Sequence, residues 1–67
     1  LAEFYYEDYQ KLKTLETALA GVTDAGTANV VMKKAREVRD QLQSGSQATD
    51  RLDAIEEELV AKGATKG

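Results

Sequence analysis

The sequence of 67 residues contains no cysteine, histidine, proline or tryptophan. Without cysteine there is no disulfide, and without cysteine and histidine a structural zinc site is effectively excluded. The same two residue types supply the commonest catalytic base and the thiol nucleophile, so their absence removes most routes to catalysis. Gly21 and Gly26 are not followed by the Gly-Lys-Ser/Thr of a phosphate-binding loop. We therefore expect a protein with no enzymatic activity and no cofactor.

The chain also lacks a surplus of positive charge, because its formal net charge is −3. Nucleic-acid binding needs lysine and arginine in excess on one face, and we expect no nucleic-acid partner. Four basic residues do lie close together, although two acidic residues interrupt them: Lys33, Lys34, Arg36 and Arg39. Five acidic residues lie together later in the chain: Asp50, Asp53, Glu56, Glu57 and Glu58. One face of a helix cannot surround a calcium ion, so we predict no metal site at these residues.

No long hydrophobic run is present either. The longest run of apolar or small residues covers 18–22, far short of the ~20 residues that a membrane span needs. We predict no membrane span and a soluble chain, compatible with the cytoplasm or with a virion, and the residues do not choose between these locations. A chain this short buries a small core, and without a disulfide or a metal we expect association with other protein to add stability.

The glycines, in the absence of proline, punctuate three predicted helices at about 2–20, 27–43 and 47–62. Residues 1–62 would form one domain, and 63–67 a flexible tail. Glycine just after a helix permits the left-handed conformation that closes its last turn. Side chains that could cap the second and third helices precede each of them: Thr23, Asp24 and Thr27 for the second, Ser44 and Ser46 for the third.

Apolar residues keep helical spacing in all three segments. The stripes are Leu1, Phe4, Tyr5, Leu12, Leu15 and Leu19; then Ala28, Val31, Ala35, Val38 and Leu42; then Ala48, Leu52, Ile55 and Leu59. The last two are narrow heptad seams, typical of helices that pack nearly parallel or antiparallel. The second helix has a net positive charge and its neighbours a net negative one. We therefore predict an all-α fold, a short antiparallel three-helix bundle, which self-association could complete.

Some apolar residues fall outside these stripes and predict a second contact surface. Tyr6 and Tyr9 lie away from the main stripe of the first helix, and tyrosine is enriched at interface hot spots. Val30, Met32 and Val60 also lie off their seams. The predicted partner-binding residues are Phe4, Tyr5, Tyr6, Tyr9, Val30 and Val60, whereas the alternative is that the tyrosines only cover the end of the bundle.

Asp8 interrupts the stripe of the first helix, where an unpaired carboxylate would be costly. In one interpretation it lies in the core and pairs with a basic residue of the second helix, Arg39 or Lys34. In the other, the regular bundle begins only after Asp8, and residues 1–7 reach a different body. The second interpretation would also explain aromatic residues on two faces.

The absent chemistry and the narrow seams together favour a non-catalytic structural or assembly protein. Such a module would pack against copies of itself or against a larger multi-protein assembly, for example as a virion component, a secretion-machine component or a docking module. We expect a homo-oligomer or a subunit of a complex. The alternative is a monomeric regulatory module that binds one protein, as inhibitors and antitoxin-like proteins do.

Overall fold

A computed structural model describes residues 5–43 and 45–65 of the chain. It contains three helices, α1 (Tyr6–Ala20), α2 (Ala25–Gln41) and α3 (Ser46–Ala61). Each helix contacts both of the others, and the described residues contain no strand. The predicted all-α fold with three helices is confirmed.

Contacts between the helices fix their directions. Asp8 at the start of α1 binds Gln43, just before α3, and Glu16 near the end of α1 binds Arg51 within α3, so α1 and α3 run in parallel. Gly63, after α3, lies against Ala25 at the start of α2. The helix α2 is therefore antiparallel to its two neighbours, as the short connections predicted.

The core lies along the axis between the three helices. Six large residues from the three predicted stripes are buried in it: Leu12, Leu19, Val38, Leu52, Ile55 and Leu59. Met32 is buried as well, with 3% of its surface exposed, so its predicted place off the seam of α2 is wrong. Because α2 packs against two helices, its buried stripe is wider than a single heptad seam, and Val31 at the edge of that stripe is half-buried.

A side-chain cap begins α2 at Ala25, two residues earlier than predicted. The Asp24 carboxylate accepts hydrogen bonds from the Thr27 backbone N–H (2.8 Å) and the Thr27 hydroxyl (2.9 Å). These bonds, the backbone one first, lower the pKa of Asp24 from its usual value. Gly26 consequently lies inside the first turn of α2 and is not part of the connection between α1 and α2.

No side chain caps α3, which begins at Ser46 after Gly45. Gly45 has φ +70° and ψ −144°, a conformation that essentially only glycine adopts. Ser46 is thus the first helical residue and not the cap, and the predicted cap at Ser44 lies outside the described residues.

At its other end, α3 closes with a Schellman motif. The Gly63 N–H donates to the Val60 carbonyl (3.0 Å) and the Ala64 N–H to the Leu59 carbonyl (2.9 Å). Gly63 has φ +112°, and a Cβ there would lie 2.9 Å from the Cβ of Ala25. Only glycine therefore combines this turn with so close an approach to α2.

Ala64 and Thr65, at the end of the Schellman motif, pack against the rest of the bundle. Ala64 is buried, with 6% of its surface exposed. The Thr65 N–H donates to the Asn29 side-chain oxygen (2.8 Å), and the Thr65 carbonyl accepts from the Arg36 guanidinium (3.2 Å). Residues 63–65 thus contact α2, while the domain boundary at 62 and the flexible tail of 63–67 stay predictions.

Candidate protein-binding surface

Tyrosines are concentrated at the start of α1 and are exposed there. Among the described residues four large hydrophobic side chains are exposed, namely Tyr5 (60%), Tyr6 (72%), Tyr9 (42%) and Val30 (70%). Tyr5, Tyr6 and Tyr9 form what we call the tyrosine patch. Phe4, the fourth predicted aromatic residue, lies outside the described residues.

The start of the helix explains the position of each ring. Tyr5 precedes α1 with φ −56° and ψ 143°, and its carbonyl accepts the first helical hydrogen bond, from the Tyr9 N–H (3.0 Å). Tyr5 is therefore not helical, and the prediction that it continues the main stripe is wrong. Tyr6 and Tyr9 are three residues apart on α1, so their side chains lie on neighbouring positions of one flank.

Asp8, between these tyrosines, points inward and has no solvent-exposed surface. Its carboxylate accepts a hydrogen bond from the backbone N–H of Gln43 (2.9 Å). The bundle therefore includes Asp8, and the interpretation that it begins only after this residue is wrong. Arg39, one of the two predicted partners, instead pairs with Asp53 and Glu56 of α3, whose hydrogen bonds, that of Asp53 first, raise its pKa.

An ion pair joins α1 to α3 two turns after the tyrosine patch. The Arg51 guanidinium donates two hydrogen bonds to the Glu16 carboxylate, both 3.1 Å long, which raise the pKa of Arg51. This fork geometry is the more specific form of an arginine–carboxylate pair. Glu16 lies seven residues after Tyr9, which places both on the same flank of α1.

Beyond the ion pair, a groove of about 550 Å³ follows the contact between α1 and α3. Four apolar residues line the groove, which we call the apolar groove: Leu19, Ala20, Ala54 and Ile55. Glu58 and Lys62 border its far end, and Glu16 and Arg51 its near end. The tyrosine patch, the ion pair and the apolar groove thus follow one another along a single face.

The structure does not add the two predicted valines to the tyrosine patch. Val30 is exposed in the first half of α2, and Val60 near the end of α3 is half-buried against the core. Because α2 runs antiparallel to α1 and α3, both valines lie toward the end of the bundle opposite Tyr6. Val30 and Val60 therefore lie apart from the tyrosine patch. The apolar groove includes Ala20 and Ala54, whose small size gave no signal in the sequence.

Other kinds of site have less support in the part of the chain that the structure describes. A second, smaller groove, of about 330 Å³, lies between α1 and α2, where polar residues such as Gln10 and Glu37 line it together with Leu15 and Val38. No three acidic side chains within residues 5–43 and 45–65 converge as metal ligands would. No helix in those ranges is long and apolar enough to cross a membrane.

Comparisons with protein-family models, with curated proteins and with solved structures find no match to this chain. The surface described above must therefore be interpreted from its own residues, exposure and shape.

Proposed function

We propose that this chain is a non-catalytic assembly module, which binds copies of itself or a larger protein assembly through the tyrosine patch. The observation that carries the proposal is the concentration of exposed tyrosine at one end of a closed bundle. Tyr6 leaves 72% of its surface in solvent although it lies on a helix with an apolar core face. Burying such a ring in an interface would add a favourable hydrophobic free energy, because the ring is exposed to water in the monomer.

The chemistry of tyrosine suits this role. Its ring buries a large area and loses only two side-chain torsions, while its hydroxyl keeps a hydrogen bond at the interface. Tyrosine is accordingly enriched among the few residues that dominate binding free energies. The buried Asp8, between Tyr6 and Tyr9, joins the start of α1 to Gln43 through a hydrogen bond. The tyrosine patch therefore lies on an ordered turn.

The test is a double substitution, Tyr6→Ala with Tyr9→Ala, followed by sedimentation equilibrium and circular dichroism on the same samples. We expect association to weaken at least about tenfold, which corresponds to about 1.4 kcal/mol and is less than a single hot-spot residue contributes. Helicity should change little, since both rings are exposed.

Val30→Ala is the control, because Val30 is equally exposed but lies on α2, toward the other end of the bundle. It should leave association unchanged. Loss of helicity in the double variant at low concentration, with association unaffected, would assign the tyrosines to the fold and contradict the proposal.

A second candidate is a monomeric regulatory module that uses the same surface on one protein partner. The observation in its favour is that, within residues 5–43 and 45–65, a single chain buries thirteen apolar residues without a second chain. A regulator of this kind should remain monomeric and fully helical on dilution. An assembly module should instead form a discrete oligomer at higher concentration.

A further inference from the structure

The face formed by α1 and α3 carries large side chains at one end and small ones at the other. We propose that this face binds a second copy of the chain about a two-fold axis, so that the tyrosines of each copy enter the apolar groove of the other. The inference rests on the proposed function and names its partner. It also gives the apolar groove a role as the binding site for these tyrosines, whereas the proposed function does not involve the groove.

The order of features along α1 provides the geometry. Tyr9, Glu16 and Ala20 succeed one another at intervals of seven and four residues, so they follow one flank of the helix. From Tyr9 to Ala20 the flank extends about 16 Å, at ~1.5 Å per residue. A two-fold axis midway between Tyr9 and Ala20, about 2 Å before the level of Glu16 at ~1.5 Å per residue, reverses this order in the second copy. It therefore sets each tyrosine pair opposite a groove and makes the face complementary to itself.

The apolar groove has the shape and chemistry that phenol rings require. Ala20 and Ala54 at its surface are exposed, whereas Leu19 and Ile55 beneath them are 7% and 3% exposed. Its volume of about 550 Å³ lies within the ~300–1,000 Å³ of sites that hold small molecules. The Glu58 carboxylate at its border can accept a hydrogen bond from a tyrosine hydroxyl, which leaves the polar tip satisfied.

The size of the face is sufficient for a stable dimer. The molecule is 35 Å long and 22 Å wide, and a specific interface covers about 800 Å² on each partner. Two exposed helices along the length of the molecule offer an area of that order. The ion pair of Glu16 and Arg51, with 39% and 47% of its side chains exposed, would lie near the axis, at the centre of the contact.

Two variants that remove opposite halves of the contact test the inference. Tyr6→Ala with Tyr9→Ala removes the rings and keeps the groove. Ala20→Gln keeps the rings and fills the groove with a long uncharged side chain. Ala18→Gln is the matched control, since Ala18 is also exposed on α1 but lies on the other flank, outside the groove.

Sedimentation equilibrium on each variant, and on an equal mixture, gives the dissociation constants. The parent chain and Ala18→Gln should form dimers of equal affinity. If each ring-and-groove contact contributes about tenfold, each interface variant alone loses both contacts and should weaken about 100-fold. The mixture retains one contact per heterodimer, and its dissociation constant should rise only about tenfold.

Three results would overturn the inference. A parent chain that stays monomeric to millimolar concentration has no second copy as partner, whereas one whose mass grows without limit joins head to tail and not about a two-fold axis. Unchanged association of Ala20→Gln would show that the groove is not used; if the tyrosine variant still weakens, the proposed function survives. Should circular dichroism show that Ala20→Gln does not fold, Ala54→Gln on α3 replaces it.

Discussion

The two ends of the bundle are built differently. At one, which we call the closed end, the α1–α2 connection and residues 62–65 pack together, with Val22 and Ala64 buried and Asp24 capping α2. At the other, the open end, α1 and α3 both begin without a side-chain cap, and the tyrosine patch is exposed. Among the described residues, the three exposed tyrosines lie at the open end, whereas Val30 is the large exposed apolar side chain toward the closed end.

Side-chain hydrogen bonds join neighbouring elements at both ends. At the closed end, Thr65 has both its N–H and its carbonyl bound by side chains of α2, and the Lys62 ammonium lies 3.5 Å from the Val22 carbonyl. At the open end the buried Asp8 carboxylate ties α1 to the α2–α3 connection. Contacts between residues far apart in the chain therefore join the elements at both ends, and the ends differ in the large apolar side chains that they expose.

The largest effect is expected from Gly63→Ala at the closed end. The substitution puts a Cβ at φ +112° and 2.9 Å from the Cβ of Ala25, and we expect a loss of about 2 kcal/mol or more in unfolding free energy. Urea unfolding followed by circular dichroism measures it.

Gly21→Ala is the control for that experiment. Gly21 has φ −92°, and its nearest contact for a Cβ is the Ala18 carbonyl oxygen at 3.6 Å. Alanine fits there and should leave stability unchanged or raise it by up to about 1 kcal/mol. Equal effects of the two substitutions would contradict the packed closed end.

A smaller effect is expected from Asp8→Ala at the open end. It removes the acceptor of the Gln43 N–H from a position without solvent exposure, which should cost about 1–3 kcal/mol in unfolding free energy. Asp8→Asn keeps a carbonyl oxygen that can accept the same bond, so it should cost less. If Asp8→Ala unfolds at the same urea concentration as the parent, Asp8 does not hold the open end together.

The smallest effect concerns the pH dependence that Asp24 gives the closed end. Its pKa is lowered in the folded state by the hydrogen bonds from Thr27, so protons bind the unfolded chain more readily. The resulting stability is complete above the unfolded pKa of about 3.9 and is lost as the pH falls through the lower folded value. Asp24→Asn still caps the helix but cannot titrate.

Melting temperatures between pH 6 and pH 2.5 show this contribution. The melting temperature of the parent should fall further on acidification than that of Asp24→Asn, because all other acidic groups are common to both. Identical pH profiles would mean that the Asp24 cap is not coupled to folding.

Much of the fold was predictable from the sequence because it depends on local spacing. The period of residues such as Leu52, Ile55 and Leu59 sets both the helix and its buried face, and these three residues are buried as predicted. The burial of Met32 was not predicted, because a pattern with one seam does not describe a helix that packs against two others.

Two contacts that the sequence did not predict have a common physical origin. Asp8 is satisfied by the backbone of a residue 35 positions away, and Thr65 by Asn29, 36 positions away. Backbone acceptors and donors exist at every residue, so no residue type in the sequence indicates such a contact. The tyrosine patch could be predicted from its composition, whereas the apolar groove depends on the parallel packing of α1 and α3.

Hydrogen exchange at low and at high protein concentration tests the difference between the two ends most directly. The Tyr9 amide reports on the open end, and the Ala64 and Thr65 amides report on the closed end. We predict that protection at Tyr9 rises with concentration as the tyrosine patch becomes covered, while Ala64 and Thr65 are equally protected at both concentrations. Protection that rises with concentration at Ala64 and Thr65 but not at Tyr9 would contradict the account.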